Sequence, residues 1–279
     1  MKTRLLTAAV ALPLLFAAIM LPWWVPDTVW VFVGLAVLAL AAGLFEYFSL
    51  TKKMELKADA GMGYLGAAVL TFAFIVNAPA KAPELLLLAI ALFLIALLIS
   101  QSFRFQEDFT KMLAGIGVTL LGVLYLAFLG GFLISIRVGF ENVPGLSSKL
   151  LLFFFIVIFG SDAGAYFAGK ALGKHKLAPK ISPGKTWEGL IGGILAAAAM
   201  GALCTWAFFP ELPYQFSVAL AALMAVVGVF GDLTESAIKR GAGAKDAATI
   251  LPGHGGLLDR LDSLLFNAPI LYYFAHFYF

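Results

Sequence analysis

Cysteine occurs once in 279 residues, as Cys204 in the apolar run Gly201–Phe209, which excludes a disulfide framework and a cysteine-built metal site within one chain. Charge is scarce as well. Asp, Glu, Lys and Arg make up 13% of the residues and histidine occurs three times, whereas soluble domains carry about 25% charged residues. No internal repeat is evident and no soluble domain interrupts the apolar segments, which weakens a transporter reading, for which paired, interrupted helices in two halves are expected. What is abundant is apolar surface: 62% of residues, with a mean hydropathy of +0.97. The main solvent is therefore a bilayer, and the fold class is all-α, a polytopic membrane protein.

A span needs about 20 apolar residues to cross about 30 Å of hydrocarbon. Nine segments come near that length: Leu5–Leu21, Thr28–Leu50, Ala60–Val76, Pro83–Ser100, Thr110–Ile136, Lys149–Gly169, Trp187–Phe209, Tyr214–Ser236 and Leu257–Phe279. Lys2 and Arg4 before the first of these resemble the start of a secretion signal, but no small-x-small cleavage site precedes Pro22-Trp23-Trp24. The segment reads as a retained first span.

Positive residues are kept on the cytoplasmic side of membranes. Nine spans with the N-terminus cytoplasmic place fifteen of the nineteen Lys and Arg inside, Lys81, Arg137 and Lys149 outside, and Arg260 in the last span. Adding or dropping one span scrambles that asymmetry. The chain divides into residues 1–136, with five spans, and residues 137–279, with four. Two inside connections of the second region, 170–186 and 237–256, are long, polar and rich in Gly and Pro, so function is expected to face the cytoplasm.

Ionisable groups within spans are costly and mark function by default. Asp162, Asp232, Glu235, Asp259, Arg260 and Asp262 all fall inside or at the inner ends of spans six, eight and nine. Asp232 is followed by Glu235, Ser236 and Lys239, a spacing that stacks side chains along one helical face, and Asp259 and Asp262 repeat it on the next span. Clustered carboxylates repel unless a cation joins them, and oxygen ligands of this kind suit Mg²⁺ together with substrate phosphates. The alternative is a set of Asp–Arg and Asp–Lys pairs holding helices together.

Between these acids run Lys239-Arg240-Gly241-Ala242-Gly243-Ala244-Lys245-Asp246 and Leu251-Pro252-Gly253-His254-Gly255-Gly256. Glycines let backbone N–H groups approach an anion and basic residues neutralise phosphate. A positive-inside membrane connection has the same composition, so order and spacing carry the weight.

That order resembles the signature of the phosphatidate cytidylyltransferases, or CDP-diacylglycerol synthases: Ser-x-aliphatic-Lys-Arg, four residues, Lys-Asp, then Pro-x-His-Gly-Gly-x-x-Asp-Arg-x-Asp. It stands complete from Ser236-Ala237-Ile238-Lys239-Arg240 through Lys245-Asp246 to Pro252–Asp262. Ser161-Asp162-Ala163-Gly164-Ala165-Tyr166 and Ser182-Pro183-Gly184-Lys185-Thr186-Trp187-Glu188-Gly189 also look like that family. The resemblance covers roughly Ser161–Asp262; over the preceding spans it is one of hydropathy only.

The resemblance implies transfer of a cytidylyl group from CTP to phosphatidic acid, with a lipid phosphate attacking the α-phosphorus and pyrophosphate leaving. It implies Mg²⁺ on Asp232 and Asp259, with a second metal ion possible in such sites. Lys185, Lys239, Arg240 and Lys245 are expected to neutralise phosphate, with Lys180 a weaker candidate. Ser236 and Asp246 are expected to orient neighbours, Asp162 to support metal or cytidine, and His254 and Asp262 to complete the catalytic set. Expected partners are the two substrates and the bilayer, not nucleic acid, with a homodimer implied by the family; the expected location is a bacterial inner membrane. Rival readings are a CTP-dependent transferase acting on another membrane lipid, an ion-coupled transporter, and a scaffold.

Overall fold

The computed structural model describes residues 2–105, 109–140, 143–244 and 256–279. Helices dominate them: α1 (Lys2–Met20), α2 (Val29–Lys53), α3 (Ala60–Ile75), the single turn α4 (Ala78–Lys81), α5 (Pro83–Arg104) and α6 (Phe109–Gly122). α6 passes through a π-turn at Val123–Phe128 into α7 (Leu129–Gly139). α8 (Leu146–Leu172), α9 (Trp187–Ala207), α10 (Tyr214–Gly241) and α11 (Leu258–Tyr278) complete the bundle.

Each of the nine apolar segments is helical. Among the described residues six stretches are long and apolar enough to cross a membrane: Pro26–Lys53, Pro83–Arg104, Lys111–Gly139, Leu146–Leu172, Trp187–Ala207 and Tyr214–Gly241. Ala9–Trp23 and Ala60–Ile75 are apolar but shorter, and α11 opens on Asp259, Arg260 and Asp262. The chain is thus a multi-pass membrane protein.

Helices overrun the hydropathy boundaries at their polar ends. α2, α8 and α10 run on to Lys53, Leu172 and Gly241, carrying Lys52, Lys53, Lys170, Lys239 and Arg240 in their last turns. Cations there oppose the negative end of the helix dipole, so charge that ends the apolar run prolongs the helix. The connection 170–186 departs from an all-helical pattern: β1 (Lys176–Ala178) and β2 (Ser182–Thr186) form an antiparallel hairpin, pairing Lys176 with Thr186 and Ala178 with Ser182. Trp187 N–H donates to His175 O at 2.9 Å and the His175 ring meets Glu188 Oε1 at 2.6 Å, closing the hairpin base onto α9. Thr186 Oγ1 then caps α9 by accepting from Gly189 N–H at 3.1 Å.

α8, α9, α10 and α11 pack in sequence, and α11 packs in turn on α7. Small residues set the closest of these approaches. A Cβ at Gly164 of α8 would lie 2.3 Å from Ala196 Cβ of α9, so the two backbones touch through a glycine seam, as bilayer helices do without a hydrophobic force between them. Aromatic rings tie the two regions together: Phe132 of α7 lies 4.9 Å from Phe74 of α3 and 5.3 Å from Tyr272 of α11, centroid to centroid.

The C-termini of α2, α5, α8 and α10 and the N-termini of α3, α9 and α11 share one end of the bundle. Arg240 Nε donates to Ile181 O of the hairpin at 3.2 Å, Arg104 Nη1 donates to Ala58 O at 3.2 Å, and a Cβ at Gly241 would meet Met54 Cε at 3.2 Å. Arg137 and Lys149 lie at the other end, where Arg137 donates to Ser148 and to Ile19 O.

Candidate active site

Asp232, Glu235, Ser236 and Lys239 lie at steps of three and four along α10, so one stripe of the helix carries them all. The N-terminus of α11 presents Asp259 and Asp262 to that stripe. What allows the approach is Gly231, where a Cβ would sit 2.4 Å from the carbonyl oxygen of Asp262. Any side chain there pushes the helices apart.

Asp232, Glu235 and Asp262 each bring one carboxylate oxygen to within 4.8 Å of the others. Glu235 is 1% exposed and Asp262 8%, so water does little to relieve their repulsion. Cations flank the trio instead. Lys185, carried on β2, reaches Asp232 Oδ2 at 2.6 Å, and Lys239 reaches Glu235 Oε2 at 2.8 Å while also bonding Asp259. Ser236 Oγ donates to Asp232 Oδ1 at 3.3 Å, and Asp262 Oδ1 accepts Ser263 N–H at 2.6 Å.

The expected ligand pair, Asp232 and Asp259, is thus divided between two neighbouring groups. Asp232 stands with Glu235 and Asp262, while Asp259 accepts from Lys239 and from Gly256 N–H at 3.1 Å. Both aspartates nevertheless line one cavity of about 460 Å³, shared with Asp162 from α8, Lys185, Arg260 and Asp262. α8 continues ten residues past Asp162 to Leu172, so this exposed carboxylate enters the cavity nearly three turns before the end of its helix. Tyr166 lies on the same wall.

Arg240 takes a different place from the one its sequence position suggests. It is exposed and fastens the end of α10 to the hairpin through Ile181 O, outside the residues lining the acidic cavity. Lys180, also exposed, sits at the hairpin turn, and Trp187 is half exposed at the start of α9. Lys245, Asp246 and His254 lie outside the described residues.

The residue that sequence reasoning missed is Glu46. It is 0% exposed in the middle of α2, and its two oxygens accept Leu257 N–H at 2.8 Å and Leu258 N–H at 2.7 Å. These are N–H groups that the start of α11 leaves without helical partners, so a carboxylate from a helix 211 residues away caps the helix that carries Asp259 and Asp262. The signal was available, since an acid in the middle of an apolar span needs an explanation. Glu235, noticed as an intramembrane acid, is the other: it belongs to the central trio.

The donor set fits a hard cation. It consists of carboxylate oxygens only, as such ions prefer, and Glu235 Oε1 is buried with no hydrogen-bond partner among the described residues. A buried unpaired carboxylate oxygen is costly. An ion held between the three acids removes both that cost and their mutual repulsion.

The chain matches the model of the cytidylyltransferase family over residues 2–278. It is 33% identical over 275 residues to a phosphatidate cytidylyltransferase of Bacillus subtilis, a match covering 98% of this chain and 97% of that one. A phosphatidate cytidylyltransferase of Synechocystis is 32% identical over 299 residues, covering 98% of this chain and 95% of its own. Over a shorter stretch of 134 residues, 47% of this chain and 46% of the relative, identity to the Haemophilus influenzae phosphatidate cytidylyltransferase is 45%.

Proposed function

Because the chain belongs to the cytidylyltransferase family, we propose that it is the enzyme that transfers a cytidylyl group from CTP to phosphatidic acid in the membrane, giving CDP-diacylglycerol and pyrophosphate. The observation that carries the reading is the acidic trio of α10 and α11, flanked by Lys185 and Lys239, which borders a cavity at the helix ends through Asp232, Asp262 and Lys185. End-to-end likeness to relatives of that name supports the choice of substrates.

Transfer of this kind depends chiefly on positioning and on neutralising charge spread over phosphate oxygens. An oxygen of the lipid phosphate bonds to the α-phosphorus of CTP as the bond to the β-phosphate breaks, and the electron pair leaves with pyrophosphate. No covalent enzyme intermediate is required. Asp232, Glu235 and Asp262 would hold Mg²⁺, with Asp259 a further carboxylate beside them for a second ion. Bound there, the metal supplies positive charge to triphosphate oxygens.

The chain's own residues supply the rest. Lys185 and Lys239 bring ammonium groups to the rim of the trio, and Asp259 and Glu235 hold Lys239 between α10 and α11. Ser236 fixes one oxygen of Asp232. Asp162 faces the cavity from α8, placed to accept from the nucleotide or to support a metal ion held there. Lys245, Asp246 and His254 carry their expected roles in phosphate neutralisation, orientation and catalysis. Arg240 holds the hairpin, and so Lys185, in place. Opening at helix ends gives CTP access from water and the lipid access from the bilayer; a cytoplasmic N-terminus in a bacterial inner membrane puts that opening on the side where CTP is made. The acids and lysines of the trio all come from one chain, so a homodimer is not needed to complete it.

The test is turnover of labelled CTP by the purified protein with phosphatidate, with and without Mg²⁺. Metal-dependent formation of a labelled lipid and release of pyrophosphate is the expected result. Product with a polyprenol or its phosphate and none with phosphatidate would assign the chain to another lipid, and ion flux in proteoliposomes without CTP turnover would defeat the enzymatic reading.

A further inference from the structure

A second and larger cavity, of about 1440 Å³, lies at the same end of the bundle but is built from the amino-terminal helices. Four basic residues from four segments line it: Lys52 at the end of α2, Lys57 in the connection to α3, Arg104 at the end of α5 and Lys111 near the start of α6. Among the described residues Glu55 is the one acid on its wall. Between the charges stand Phe45, Tyr64 and Phe103, which are 56%, 39% and 72% exposed.

The frame of this cavity is fixed. Asp59 caps α3 by accepting Met62 N–H at 3.1 Å, and its other oxygen accepts from Ser100 Oγ and Gln101 Nε2, each at 2.9 Å. Arg104 is tethered to Ala58 O and stands 3.7 Å from Asp59. Glu55 adopts φ +59°, a conformation uncommon for a residue with a side chain, to turn the chain from α2 toward α3. Lys52 and Lys57, by contrast, form no ion pair with a carboxylate among the described residues; Lys57 stands over the Phe105 ring, 6.0 Å from its centre. Two lysine charges on a rigid wall are left for a ligand to satisfy.

We propose that this cavity is a binding site for an anionic phospholipid, distinct from the acidic cavity where the reaction occurs. Three observations select the occupant. Lining charge is positive in excess, so the ligand is an anion. Exposed aromatic rings alternate with the charges at helix ends, the level where headgroup meets acyl chain. The volume exceeds the roughly 300–1,000 Å³ of ordinary small-molecule sites and accommodates a headgroup with its glycerol and upper chains. α2 links the two cavities without lining both: Phe45 and Phe48, which line the basic cavity, lie beside Glu46, which holds the start of α11, whose Asp259 and Asp262 line the acidic one.

The test uses the full chain in detergent micelles, with bound phosphatidylglycerol counted by native mass spectrometry against phosphatidylcholine. The double variant Lys52→Gln/Lys57→Gln is expected to bind phosphatidylglycerol about 30-fold more weakly, given about 1 kcal/mol per basic residue at an anionic lipid surface, with phosphatidylcholine unchanged. Lys174→Gln/Lys176→Gln, which removes two exposed lysines at the base of the hairpin, is expected to bind as the unaltered chain does. Ala60→Trp keeps the charge and fills the cavity, and is expected to weaken binding as well. Equal affinity in all the variants overturns the proposal, as does equal loss in both lysine pairs, which would make the effect one of general surface charge. Displacement by glycerol 3-phosphate as effective as by a second phospholipid assigns the site to a soluble anion and overturns the lipid. CTP turnover is a separate measurement, so the two readings fail independently.

Discussion

Carboxylates are withdrawn from water in both regions of the molecule, but they are treated differently. Each oxygen of Glu46 accepts one backbone N–H, from Leu257 and from Leu258, and Asp59 accepts from a backbone amide, a serine and a glutamine. Asp232, Glu235 and Asp262 crowd together, lean on two lysines, and leave Glu235 Oε1 with no partner among the described residues. A carboxylate whose lone pairs are filled by fixed donors holds structure. One left short of donors beside others of its kind is built to share a cation. Burial alone does not separate these cases; crowding of carboxylates around an oxygen left without a donor does.

Breaking the trio is expected to have the largest effect. Asp232→Asn and Asp262→Asn should each lower CTP turnover by about 100- to 1000-fold or more, the scale of losing one group that stabilises charge in a transition state, while thermal unfolding in detergent changes little. Turnover near that of the unaltered chain in both would dissolve the distinction between the two kinds of acid. Glu46→Gln comes next, because it replaces one acceptor facing an α11 N–H by a donor. A stability loss of about 1–3 kcal/mol is expected, with turnover reduced through misplacement of Asp259 and Asp262. Glu46→Asp should recover turnover in part if the charge matters, and a fall in stability with turnover untouched would limit Glu46 to a structural part.

Asp59→Ala sharpens the contrast from the other side. Loss of the α3 cap should cost about 1 kcal/mol of stability, read by the unfolding midpoint, and leave the turnover number as it was; a large fall in turnover would show that the amino-terminal acids are not only structural. The smallest effect is expected at the far end of the bundle, where Lys149 meets Glu211 at 2.5 Å. That bond holds the Glu211 carboxyl below its ordinary value of 4.5. Its contribution is therefore complete above that value and is lost as pH falls through the depressed one. Glu211→Gln should change stability at neutral pH by no more than about 0.5 kcal/mol, as exposed pairs do, and should remove this part of the acid dependence.

The amino-acid sequence by itself determined the solvent, the helical class and the nine apolar segments, because hydropathy and helical spacing are local properties. It also placed Asp232, Glu235, Ser236 and Lys239 on one face of α10, since a periodicity of 3.6 needs no tertiary information. Where local pattern ends, so did its reach. Spacing says which residues share a face but not which helix that face meets, so only the packed structure joined Glu235 to Asp232 and Asp262, gave Lys239 to Asp259, and turned Arg240 toward the hairpin. The hairpin itself was hidden in a polar connection whose Gly and Pro read as loop. Above all, nothing near Glu46 in the chain points to Leu257 and Leu258; that contact exists because a glycine-lined bundle brings α2 against the start of α11, where unpaired N–H groups require an acceptor.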